Sequence, residues 1–119
     1  MNWYLSKIVF QIVCGEGGHT PQFDEQLRLV SASSKDEAFL KSQELGKKEE
    51  ETFYNEKDQL VRWSFINVCE LYQITELIDG AELYSRIEER DSAAGYIQTV
   101  NQKAENIYFT QTHQLLKLA

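Results

Sequence analysis

The chain has 119 residues, 12 basic and 19 acidic, for a formal charge of −7. That sign opposes attraction to phosphate backbones and anionic lipid surfaces, so neither nucleic acid nor membrane is an expected partner. The length fits a single domain over 1–119, with a core over 2–90 and a C-terminal helix and tail over 91–119.

Trp3 to Cys14 is the first strand candidate. Tyr4, Ile8, Phe10, Ile12 and Cys14 line one face, and Trp3, Leu5, Val9 and Val13 line the other. Two apolar faces predict an interior strand covered on both sides. Gly15 to Pro21 breaks regular structure. Phe23 to Ala32 then alternates Phe23, Leu27 and Leu29, expected inward, with Asp24, Gln26 and Arg28, expected outward, which suits a sheet edge.

Ser34-Lys35-Asp36-Glu37 has the spacing of a capping box, in which Ser34 and Glu37 satisfy each other's backbone N–H groups. It predicts a helix to about Tyr54 with Ala38, Leu45 and Phe53 on its apolar stripe, thinning or bending over 46–51, and ended by Asn55. Glu49-Glu50-Glu51 reads as a solvated helix face.

Leu60 to Leu71 and Ala81 to Glu88 read as the arms of a central hairpin about Asp79-Gly80. Val61, Trp63 and Phe65 alternate with Arg62 and Ser64, making Trp63 and Phe65 the expected core. Asn67, in phase with them, marks either a bulge or a buried amide. Ala93, Ile97, Val100, Ala104 and Ile107 then recur at helical spacing, so Ser92 to about Tyr108 reads as a second helix. Leu115, Leu116 and Leu118 give the tail a reason to pack on its own sheet or on a second copy. The predicted fold is α+β with element order β-β-α-β-β-α: a four-stranded, mainly antiparallel sheet with a helix on one face.

Trp3-Tyr4, Ala32, Ala38, Tyr54-Asn55, Val61-Arg62-Trp63-Ser64-Phe65 and Asp79-Gly80-Ala81-Glu82-Leu83-Tyr84-Ser85 together resemble a family of small bacterial proteins known as a domain of unknown function. The resemblance runs from about Trp3 to Ile87 and implies a compact bacterial domain without an assigned activity. Asp58 stands where the resemblance puts a turn glycine.

The chemistry-bearing residues are sparse. His19 and His113 are the only histidines, too few for a metal centre on their own, and no cofactor motif is present. Cys14 and Cys69 lack paired spacing and fall in apolar runs, which predicts buried free thiols and a reducing compartment. The first residues lack the basic start and apolar middle of a signal peptide, which predicts a cytoplasmic address.

If the two hairpin arms pair in phase, Arg62, Glu82, Tyr84 and Arg86 share one sheet face. With Asn55 they are the candidate binding residues. The expectation is a non-catalytic protein-interaction module, by analogy of an immunity or antitoxin type. It would bind another protein or form a homodimer through the Trp3, Leu5, Val9, Val13 face or the leucine-bearing tail. The alternative is a small-ligand receptor or enzyme with its site around Arg62, Glu82 and Tyr84.

Overall fold

The first apolar run lies inside the sheet, as two apolar faces require. In the computed structural model, which describes residues 1–110, it forms β1 (Asn2–Cys14). β1 is flanked by β2 (Gln22–Ala32) and β4 (Leu60–Ile74), and β3 (Glu51–Tyr54) lies outside β4. The order β2-β1-β4-β3 is antiparallel throughout. Helix α1 (Lys35–Lys48) crosses one face, and α2 (Ala93–Thr110) follows an irregular segment. The fold is α+β, β-β-α-β-β-α, as the sequence pattern predicts. The chain divides into two compact units, Met1–Ser85 and one beginning at Arg86. The expected packing of the leucine-bearing tail falls on 111–119, outside the described residues.

The structure behind that order differs from expectation in five places. No strand forms over 81–88. The Asp79-Gly80 turn is present, with Ala81 N–H bonded to Ile78 O and Gly80 at φ +83°, but its exit is irregular. The hairpin partner of β4 is β3 instead. Asn55 Oδ1 closes the connection by accepting from the N–H groups of Lys57 (2.9 Å) and Gln59 (3.0 Å). A local hairpin with few residues to order has a low closure entropy.

Helix α1 accordingly ends at Lys48, not near Tyr54, and Phe53 sits on β3, 43% exposed. Glu50 Oε2 accepts from Phe65 N–H at 2.9 Å and fixes the exit. Glu49 and Glu50 thus connect α1 to β3 and Glu51 opens β3, so the run is not a helix face. At the other end Ser34 Oγ accepts from Glu37 N–H at 3.2 Å. The returning Glu37 carboxylate reaches Ser33 rather than Ser34. These Ser33 bonds hold Glu37 below the usual carboxylate range.

The core centres on β1 rather than on Trp63 and Phe65. Ile8 and Phe10 are buried, and both aromatics of β4 are half-buried against Phe10, with ring centroids 6.3 and 6.1 Å away. The helix buries Ala38, Ser42 and Gly46, four residues apart, while Leu45 is half-buried. Small side chains along that line let its backbone approach the sheet closely.

The faces of β2 are the reverse of those expected. Val30 and Ala32 are buried and Asp24, Gln26 and Arg28 half-buried, whereas Phe23, Leu27 and Leu29 are exposed. Period two separates two faces without saying which one a helix covers. Arg28 is turned to the helix side by its paired bonds to Glu49, at 2.6 and 2.9 Å.

The β1–β4 register shifts at Lys7/Ile8 and at Val9/Phe10, leaving Cys69 and Ile66 of β4 unpaired. Asn67 therefore marks a bulge, its Oδ1 accepting from Gln43 at 3.1 Å. The bulge turns Cys69 outward, so this thiol is exposed instead of buried; Cys14 is half-buried, and both are free.

Candidate functional interface

The side of the sheet opposite α1 carries the odd-numbered residues of β1 and β2. Register places Leu5 between Leu29 and Tyr72, and Lys7 between Leu27 and Glu70. Lys7 Nζ lies 2.8 Å from Glu25 Oε1 and 2.9 Å from Glu70 Oε2. The Tyr72 and Tyr84 hydroxyls both donate to Glu70 Oε1, at 2.9 and 3.1 Å, with their rings 5.4 Å apart. Tyr84 thereby holds the segment after the Asp79-Gly80 turn against this face, which is why that segment does not extend as a strand.

The electrostatics of this cluster are saturated. Hydrogen bonds to Glu25 and Glu70 raise the Lys7 pKa, keeping the ammonium charged. Hydrogen bonds from Lys7, then from Tyr72, hold Glu70 below the usual carboxylate range. The bond to Glu70 raises the Tyr72 phenol. A carboxylate held ionised is a poor proton acceptor, and an ammonium held protonated is no nucleophile. The cluster is a fixed polar island, and the side chains beside it are apolar.

The candidate residues named from sequence do not converge. Tyr84 joins the island through Glu70. Arg62 is exposed near the far end of β4, in register with Val13 and Thr52. Glu82 is exposed in the irregular segment. Arg86 belongs to the second unit and pairs with Glu88. Asn55 has a structural role: besides closing its turn, its amide donates to Cys14 Sγ and Gln59 Oε1, at 3.4 and 3.2 Å. The phase argument for a shared Arg62–Glu82–Tyr84–Arg86 face fails because it required a strand over 81–88.

His19 is likewise built into its loop. Its Nε2 accepts from Cys14 N–H at 2.9 Å, so the other ring nitrogen is the donor, to Thr20 O at 2.9 Å. Among the described residues, no group of three or more His, Cys, Asp or Glu side chains could hold a metal ion. A cleft of about 490 Å³ lies between the start of α1 and the bulged part of β4, lined by Phe39, Leu40, Val68, Cys69 and Leu71 among others. Sequence reasoning missed Lys7, Glu25 and Glu70. The one available signal was a lysine as the sole charge of an interior strand, which calls for acidic residues on the neighbouring strands; Glu70 is in register with it and Glu25 lies diagonal to it.

A family model described as Domain of unknown function (DUF4288) matches residues 3–85. The chain belongs to this family. The DUF4288 match ends where the first compact unit ends, so sheet, α1 and the Tyr84-bearing segment are all inside it. No curated protein and no solved structure matches the chain. Among the described residues no helix is long and apolar enough to cross a membrane.

Proposed function

We propose that this domain is a non-catalytic protein-interaction module that docks through the side of its sheet opposite α1, around β2. One observation carries the reading: Phe23, Leu27 and Leu29, on the same face of one edge strand, are 56%, 54% and 53% exposed. An apolar row beside a polar rim is the composition of a protein contact surface. The saturated Lys7–Glu25–Glu70 cluster supports binding over catalysis, because it orients charge without freeing a proton acceptor. Two free cysteines fit the reducing cytoplasm of a bacterial cell.

Site-specific photo-crosslinking in the native host tests this. A photoreactive residue at Leu29 should give discrete protein adducts, and the same residue at Lys47, exposed on α1, should not. Adducts from neither position, or equally from both, overturn the reading. Adduct masses also separate self-association from an immunity- or antitoxin-type partner.

A further inference from the structure

We propose that the partner is a second copy of this chain, joined edge to edge through β2 about a two-fold axis at Gln26. This rests on the interface reading above and names its partner. Gly15 N–H bonds to Leu60 O on the β4 side at 2.8 Å, whereas Cys14 N–H points the other way, to His19. Backbone groups alternate sides along a strand, so even-numbered β1 residues turn theirs toward β2. The β1–β2 register is unbroken from Asn2↔Ala32 to Ile12↔Gln22. Even-numbered β2 residues therefore bond inward, and Phe23, Glu25, Leu27 and Leu29 present N–H and C=O groups to the open edge. Ser31 agrees with this phase, its carbonyl accepting from Lys41 Nζ at 2.7 Å. Such an edge is a template for another strand.

Symmetry and charge then select the register. In an antiparallel pair the outward-facing odd residues must meet odd residues, so the axis passes through a residue. An axis at Glu25 sets two carboxylates opposite each other. An axis at Leu27 sets Phe23 against Ser31 and the Asp24 carboxylate against Val30. The axis at Gln26 sets Phe23 opposite Leu29, Glu25 opposite Leu27 and Asp24 opposite Arg28, each twice, so the larger apolar side chains pair on one face and opposite charges pair on the other. Arg28 donates to Glu49 through both terminal nitrogens and to Gln26 Oε1 through Nη1, which leaves Nε–H and one Nη2–H for the partner's Asp24; Asp24 accepts from Gln26 through Oδ2, which leaves Oδ1 for the pair.

The test uses the purified full chain. In a Cys14→Ser, Cys69→Ser background, Gln26→Cys meets its own copy in a non-hydrogen-bonded pair with Cα atoms about 4.5 Å apart, within disulfide reach. Mild oxidation should convert most of it to covalent dimer. Asp24→Cys lies four residues out of register with its own copy, about 13 Å away. It should stay monomeric alone and cross-link when mixed with Arg28→Cys. In sedimentation equilibrium, Asp24→Lys should weaken dimerisation at least about tenfold, a loss of about 1.4 kcal/mol. A chain that stays monomeric to about 1 mM, near the weak limit of specific association, overturns the self-pairing; so does cross-linking of Asp24→Cys equal to that of Gln26→Cys. If position 29 still gives adducts with a different protein in cells, only the self-pairing fails; if it gives none, the interface reading fails too.

Discussion

Gly46 and Phe65 touch so closely that a methyl group on Gly46 would lie 2.3 Å from Phe65 Cδ1. The contact sets how near α1 sits to β4, since Gly46 continues the buried line of Ala38 and Ser42. Replacing a helical glycine by alanine ordinarily gains about 1 kcal/mol. Here overpacking opposes that gain by about 1–3 kcal/mol. Gly46→Ala is expected to lower stability in urea unfolding, and Gly46→Ala/Phe65→Leu to recover most of the loss. A stabilised single variant would show that the ring yields freely.

Asp58 holds φ +59° in the β3–β4 turn, the position where family resemblance places glycine. Left-handed backbone disfavours a side chain, less so for Asp than for most residues. Asp58→Gly should be neutral to about 1 kcal/mol stabilising, and Asp58→Ala should destabilise by about 1 kcal/mol. The order Gly, Asp, Ala in melting temperature is the check, and Ala at or above Asp would contradict the turn geometry.

Ser6 is fully buried and its hydroxyl has no hydrogen-bond partner among the described residues. A buried unsatisfied polar group costs about 1–3 kcal/mol. Ser6→Ala is therefore expected to leave stability unchanged or raise it by about 1 kcal/mol, the lost packing offsetting part of the gain. Destabilisation by more than about 1 kcal/mol in chemical unfolding would imply a partner for the hydroxyl.

Glu70 is held below the ordinary carboxylate range by Lys7 and Tyr72. Its folded pKa is thus lower than its unfolded value of about 4.3. The stability it contributes is present above that unfolded value and is lost as pH falls through the folded one. Glu70→Gln should flatten the stability–pH curve below about pH 4.5. Glu37 and Glu49, also held low by hydrogen bonds from Ser33 and Arg28, should leave a residual slope. An unchanged slope in Glu70→Gln would mean the Lys7 contact does not persist in solution.

Much of the fold was legible in local pattern. The two-faced run from Trp3 to Cys14 implied an interior strand, Ser34 with Glu37 marked a helix start, and Asn67 signalled either a bulge or a buried amide, of which the structure has the bulge. These depend on periods and spacings within a few residues. Which strand pairs with Leu60–Ile74, which side of β2 the helix covers, and how Lys7 meets Glu25 and Glu70 depend on contacts between distant segments. Alternation at Glu51–Tyr54 is too short to stand out, and alternation at 81–88 is equally satisfied by a segment laid over a face. Local patterning determined β1, β2, the start of α1, the start of β4 and α2. Tertiary packing alone decided that Phe23, Leu27 and Leu29 face outward, because a period of two is symmetric until a helix settles on one side.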